Sequence, residues 1–319
     1  MEPSFLSLQV SWMEKIIDME KLKNLAFELM GNQHFDSLAV GVIDFKSKSF
    51  ESFEISADVF STKPYLYFDL ASLTKPLTNS AVRLKYPELF DEQMMLLLNH
   101  KAGLPMGGLL SKKSWREELW AYEIKESETL YSDYSSLRCM LEIEKKSGKK
   151  LKELCSYYFD PELLHWKNLP EDSFSPEYGI RNKKIVCGEV HDNNCYNIGE
   201  FVSHAGLFAT VDGLCRSLLN LERLASVCEQ VEKILTKQKK EDRFILGFDR
   251  VMDPQNTLAG VGCSAKTFGH LGFTGTSFWI DMEKQRGAVI LTNATQTYWY
   301  ERSGLTMLRK TLGEAIWKS

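Results

Sequence analysis

The chain has 319 residues, 44% of them hydrophobic and 26% charged, with a formal net charge of -4. That length supports a substantial core, and the nearly balanced charge lacks the concentrated basic surface that phosphate-backbone binding needs, so nucleic acid is not an expected partner. Seven cysteines, odd in number and without a CxxC, fit reduced thiols in a cytoplasmic protein; no apolar run reaches membrane-span length, and Glu2, Glu14, Asp18 and Glu20 spoil any secretory signal at the start.

In chain order, residues 10–31 pattern as one amphipathic helix ended by Gly31, followed by strands at 38–45 and 49–55 joined by a lysine-containing turn. Residues 93–104 form a further helical stretch ending in a glycine turn, with more helices near 114–122, 133–147 and 150–158 and a long loop rich in Pro, Asn and Gly after them. Helical periodicity returns from Asp212 to about Lys237. The stretches FGHLGFTGTSFWI and RGAVILTNA then read as two strands joined by DMEKQ, and a helix at 302–317 closes the chain. Strands at both ends with helices between them predict an α+β fold in which the termini share one mainly antiparallel sheet. The expected organisation is a single domain over 1–319, its sheet built from about 35–60 and 245–319 and its helical region from about 76–240.

Three stretches carry chemistry. Ser72-Leu-Thr-Lys75 places a hydroxyl and an amine on one face of a helical turn, where the amine can reach the serine; a hydroxyl is a poor nucleophile until a neighbouring base takes its proton. For Lys75 to be that base, its pKa has to be lowered by partial burial or a nearby positive group. Tyr131-Ser-Asp133 stands at the start of a helix, where a phenol beside a lysine can pass protons and an acid can face a cleft. His270-Leu-Gly272-Phe-Thr-Gly275 is rich in glycine, which suits a backbone that approaches a ligand closely and presents an N–H to an oxyanion. Each motif alone also fits a plain structural role: a helix cap with a solvated lysine, a packed tyrosine with a capping acid, and a glycine-rich hairpin with a satisfied histidine. His191-Asp192 with His204 lacks a three-ligand pattern, so no metal and no cofactor is expected.

Taken together, these stretches resemble the serine beta-lactamase-like family, which includes penicillin-binding carboxypeptidases, class C beta-lactamases and related esterases. Phe68-Asp-Leu-Ala-Ser-Leu-Thr-Lys75 is similar to its nucleophile motif and Leu97-Leu-Asn-His-Lys-Ala-Gly-Leu-Pro105 to the turn that follows. Gly188-Glu-Val-His-Asp192 and Ser203-His-Ala-Gly-Leu-Phe-Ala-Thr210 resemble two further blocks, so the likeness runs over roughly residues 35–300. The resemblance implies a beta-lactamase/transpeptidase-like fold, with Ser72 as nucleophile and Lys75 and Tyr131 as its proton shuttle. It also implies an oxyanion hole from the N–H groups of Ser72 and Phe273, with help from His270. Asp133, Leu271, Gly272 and Thr274 would contact substrate, Asp133 orienting either the substrate or Lys75. Leu271 stands where the family usually has threonine, and Asp133 where many members have asparagine; both departures argue against efficient handling of carboxylate-bearing penicillins. The expected activity is therefore hydrolysis, through an acyl-enzyme, of a small ester, amide or short peptide. An esterase leads a D-amino-acid peptidase or amidase, and a non-catalytic binding protein of the same fold is the remaining alternative.

Overall fold

The computed structural model describes residues 18–56, 59–61, 64–237, 242–298 and 300–319. Helix α1 (Met19–Met30) is capped by Asp18, whose carboxylate accepts the Lys21 N–H, and it stops at Gly31; positions 10–17 of the expected helix lie outside the described residues. Strands β1 (Ser37–Asp44) and β2 (Ser49–Ser56) form the expected hairpin, and β3 (Val59–Ser61) extends it. The short β4 (Phe68–Asp69) leads through a tight turn at Ala71–Leu73 and a wide one at Pro76–Ser80 into α2 (Ala81–Lys85).

The helical region follows as α3 (Glu92–Leu98), α4 (Trp115–Trp120), α5 (Asp133–Ser147) and α6 (Leu151–Cys155). Helix α3 ends earlier than its pattern predicts because His100 takes a left-handed conformation, φ 57°. The stretch expected to be a long loop holds four short elements: β5 (Leu163–His165), the hairpin of β6 (Glu177–Arg181) and β7 (Lys184–Cys187), and α7 (Asn193–Ile198). It is followed by β8 (Leu207–Ala209), which lies between β4 and β5 in a small second sheet. The helical stretch after Asp212 divides at Ser226, φ 47°, into α8 (Val211–Ala225) and α9 (Val227–Leu235).

The last part of the chain contributes β9 (Phe244–Ile245), β10 (Phe248–Arg250), β11 (Thr267–Leu271), β12 (Ser277–Asp281), β13 (Arg286–Thr292) and α10 (Ser303–Lys318). The single strand expected over 268–280 is a hairpin instead: Gly275 has φ +104°, and Gly272 to Thr276 turn the chain back on itself. The eight-stranded sheet runs β3-β2-β1-β13-β12-β11-β10-β9, antiparallel throughout. Pairing of Leu38 with Thr292 through to Asp44 with Arg286 joins the two chain ends in one sheet, as the strand patterns at the two ends predict.

Side chains alternate across this sheet. On one face Leu38, Val40, Trp279 and Ile290 pack on α1 and α10, burying Leu22, Ala26, Leu308 and Leu312. On the other, Phe268, Phe278, Ile280, Val289 and Leu291 meet Leu214, Leu218 and Leu221 of α8 and Leu73 and Leu77 next to Ser72 and Lys75. The helical region has its own core around Leu97, Trp115, Leu119, Leu137 and Met140. The end of β11 lies beside the Ser72 turn, beyond the ladder that pairs β10 with Phe268 and Gly269, and its His270 ring stands 5.9 Å from that of Tyr131. No helix among the described residues is long and apolar enough to cross a membrane.

Candidate active site

Ser72 sits where local sequence forces a sharp change of direction. Asp69 Oδ1 accepts the Ala71 N–H at 2.8 Å, and Ala71 is left-handed, φ 46°. The next residues then enter a helical turn. One turn on, Lys75 Nζ donates to Ser72 Oγ at 2.9 Å, the contact that the i, i+3 spacing predicts. Lys75 is buried, and its ammonium also contacts Asp133 Oδ1 at 2.7 Å, the His204 carbonyl at 3.2 Å and the Tyr131 hydroxyl.

Asp133 is the first residue of α5, where a negative charge is favoured by the helix dipole. Ser132 caps that helix by accepting the Ser135 N–H and donates to the Pro105 carbonyl, which fixes the entry of the chain. Tyr131 is held from behind by His100, whose ring centroid is 4.7 Å away and whose Nδ1 accepts the Ser132 N–H. The lysine therefore departs from the expectation of a lowered pKa. Burial does push it down, but the carboxylate of Asp133 and the Tyr131 phenol outweigh burial and hold it above the ordinary lysine value. Lys75 rests as an ammonium paired with Asp133.

The opposite side of the site is the β11–β12 turn. Thr274 Oγ1 donates to the Asp69 carbonyl at 2.7 Å and Thr276 Oγ1 to the Leu70 carbonyl at 3.0 Å, so this turn is stitched to the Ser72 turn. Gly272 is required by the same approach: a Cβ there would lie 2.8 Å from the Leu70 carbonyl oxygen and 2.0 Å from Thr276 Oγ1. Arg302 and Arg309 grip the turn from α10 and the residue before it, donating to the Phe273 carbonyl at 2.8 Å and the Thr276 carbonyl at 2.7 Å. Phe273 projects to the cleft rim beside His191, ring centroids 5.6 Å apart.

A cleft of about 520 Å³ lies over Ser72, lined by Tyr131, Asp133, Phe273, Leu109, His191 and Asp192 among others. Of the residues singled out in the sequence, Ser72, Lys75, Tyr131, Asp133 and Phe273 come together here. His270 does not line the cleft. It is buried behind Tyr131, ring centroids 5.9 Å apart, its Nδ1 donates to the Leu271 carbonyl, and burial followed by the Lys75 charge pulls its pKa down to about 3. Leu271 points to the other face of the sheet and packs among the side chains beneath α1 and α10, as strand alternation after His270 requires. Thr274 is fully buried, and its hydroxyl is taken up by the Asp69 carbonyl.

Sequence reasoning passed over a second acid–base pair in this cleft. His204 Nε2 donates to Asp192 Oδ1 at 2.9 Å, and the same oxygen accepts the Cys195 N–H that caps α7. Burial would raise the Asp192 carboxyl, but His204 and the Cys195 N–H hold it well below the usual carboxylate range. The sequence places these residues in two family-like blocks and weighs them as metal ligands, without pairing them; the helix-capping pattern of Asp192 ahead of Asn193-Asn-Cys195 is the available signal. Among the described residues no group of three or more His, Cys, Asp or Glu side chains could hold a metal ion.

Comparison with known proteins adds an independent line. The family described as "Beta-lactamase" matches residues 94–311, a span that begins after the nucleophile turn. A "Putative D-alanyl-D-alanine carboxypeptidase" of Escherichia coli O157:H7 is 34% identical over 119 residues, which is 33% of this chain and 26% of that protein, and the K12 counterpart matches equally. The chain thus matches about a quarter of the length of these curated relatives. Among solved structures, a beta-lactamase from Mycobacterium bovis superposes with a TM-score of 0.60 at 18% identity, covering 91% of this chain and 97% of its own. A mutant of simvastatin synthase from Aspergillus terreus gives 0.62 at 12% identity over 94% and 96% of the two chains. SurE with D-Leu gives 0.59 at 16% identity over 91% and 74%. At these identities the structures share the fold.

Proposed function

Since the chain belongs to the beta-lactamase family and carries its serine-hydrolase fold, we propose that it is an acyl-enzyme hydrolase of small esters, with Ser72 as the nucleophile. The observation that carries this reading is the buried Lys75 ammonium, bonded at once to Ser72 Oγ and Asp133 Oδ1 on the floor of an open cleft. In acylation Ser72 Oγ forms a bond to the substrate carbonyl carbon while its proton passes into the Lys75, Tyr131 and Asp133 group. The oxyanion is met by the N–H groups of Ser72 and Phe273. Collapse breaks the bond to the leaving group, which takes up a proton from the same residues. Water then attacks the acyl carbon, and Ser72 regains its proton as the acid departs. Because Lys75 rests protonated and Asp133 holds that proton on it, Lys75 takes the Ser72 proton only as its own passes to the Asp133 carboxylate. His270 and Thr274 act through position: one backs Tyr131, the other holds the nucleophile turn.

Amide or peptide substrates built on D-amino acids are the second reading, favoured by the match to carboxypeptidase-described relatives. Among the described residues that line the cleft the ionisable ones are Tyr131, Asp133, His191, Asp192 and His204, with no arginine, which disfavours carboxylate-bearing lactams against simple esters. Brief reaction with a fluorophosphonate or an activated ester, followed by intact-mass and peptide mapping, tests the proposal. A single adduct on Ser72 that vanishes in Ser72→Ala is expected. Equal ester turnover in wild type and Ser72→Ala would reject it and favour a non-catalytic binding protein.

A further inference from the structure

Asp69 is fully buried three residues before the nucleophile, and both of its carboxylate oxygens are engaged in opposite directions. Oδ1 accepts the Ala71 N–H at 2.8 Å and Oδ2 accepts the His191 N–H at 2.7 Å. Its own N–H donates to the Tyr178 hydroxyl at 2.8 Å, and its carbonyl accepts from Thr274. One residue therefore touches the nucleophile turn, the β6 strand, the loop that carries the cleft wall at His191, and the β11–β12 turn that carries Phe273.

The need for such a device comes from Ala71. A residue with a Cβ in the left-handed region costs about 1–2 kcal/mol, and it persists only where its surroundings impose it. The N–H of that residue is the one that Asp69 Oδ1 holds. Charge-assisted bonds from a carboxylate to N–H groups are roughly twice as strong as neutral ones, and an uncompensated buried carboxylate is costly, so the two bonds and the ionised state support each other.

We propose that Asp69 is a positioning residue for acylation: its buried carboxylate clamps Ala71 to the His191 loop and so keeps Ser72 aligned with the Phe273 N–H across the cleft. This rests on the reading of Ser72 as nucleophile. Asp69 touches neither the substrate nor Ser72 Oγ, and its influence passes through the backbone of Ala71.

Burial sets the Asp69 carboxyl up to about 7, offset in part by the His191 and Ala71 N–H groups, with Asp192 raising it further and Arg181 lowering it. Of the other titratable groups packed on it, burial keeps Tyr178 protonated and His191 below its ordinary value. A proton taken up by Asp69 removes one acceptor from the clamp. Acylation should then weaken as pH falls through neutrality.

The test is the rate of Ser72 labelling by a fluorophosphonate, together with kcat and KM for an activated ester, in wild type, Asp69→Asn and the double variant Asp69→Asn/Ala71→Gly. Asp69→Asn, which offers one N–H an amide donor instead of an acceptor, should lower kcat and labelling by about 10²-fold, as for a small misplacement of the nucleophile, with KM little changed. Glycine at 71 has no Cβ penalty in the left-handed region, so the double variant should recover part of that loss. Wild type should show a rising limb between about pH 5 and pH 8 that Asp69→Asn lacks. Labelling of Asp69→Asn at the wild-type rate, or the same limb in both proteins, overturns the inference. If Asp69→Asn does not fold, the wild-type profile decides, and a flat rate across that range overturns it. A wild-type Ser72 that is never labelled rejects the serine-hydrolase reading itself.

Discussion

Two acid–base pairs face one cleft and are built alike, yet they are anchored to different partners. In Lys75–Asp133 and His204–Asp192 the base is buried, 4% and 1% exposed, and the acid is about one-third open to solvent, 32% and 31%. The first pair is bonded to Ser72: Lys75 reaches its Oγ, and Asp133 at the start of α5 reaches Lys75. The second is bonded to the scaffold: Asp192 caps α7 and fixes His204, whose carbonyl in turn receives Lys75. Burial and partner charge are therefore not enough to tell the two pairs apart. The third contact separates them, the Ser72 hydroxyl in one case and a helix N–H in the other.

The comparison breaks most directly at Lys75. Lys75→Ala should slow acylation by about 10²- to 10⁴-fold, the usual range for loss of a proton-transfer group, measured as the rate of Ser72 adduct formation. A loss under tenfold would place the proton-transfer work elsewhere, with Tyr131 the next residue to test. Asp133→Asn sharpens the same side. With its carboxylate partner gone, burial acts on Lys75 against Tyr131 alone and the ammonium loses its proton more easily, so the alkaline limb of the rate–pH profile should move to lower pH by about one unit or more. An unmoved limb would mean that Lys75 does not titrate in the acylation step.

On the scaffold side, Asp192→Ala should act first on stability. Losing the α7 cap and stranding His204 Nε2 should cost about 1–3 kcal/mol in denaturant unfolding, with a smaller effect on acylation than Lys75→Ala. The sign of its pH dependence follows from the lowered carboxyl. Asp192 stabilises fully above the unfolded carboxylate value near pH 4, and that contribution is lost as pH falls through its folded value, so wild type and variant should converge in acid. A gap that widens in acid would contradict the pairing.

The smallest effect belongs to Leu271→Thr. From the sequence this change should restore a carboxylate-binding hydroxyl. Leu271 instead packs beneath α1 and α10, so the substitution should cost about 1 kcal/mol of packing and leave the ratio of penicillin to ester turnover unchanged. A selective rise in penicillin turnover would mean that this side chain reaches the cleft after all.

Much of the molecule was legible before its coordinates. The period-2 runs at 38–55 and 286–292, the boundary of α5 at Asp133 and Gly148, and the Ser72–Lys75 contact follow from local rules, because alternation, capping and the i, i+3 geometry act over a few residues. The hairpin inside 268–280 was misread as one strand because its apolar alternation continues through a turn that only Gly272 and Gly275 betray. What the sequence determined by itself was a serine with a lysine one turn away, in a chain whose ends form one sheet. Tertiary structure alone decided the charge on that lysine, since its pKa is set by Asp133, which arrives from 58 positions along the chain. It alone decided that His270 and Leu271 lie out of the cleft, and that the Asp69 carboxylate bonds both the Ala71 and the His191 N–H groups. Electrostatic fields and strand faces are sums over neighbours in space, and distance along a chain carries no record of them.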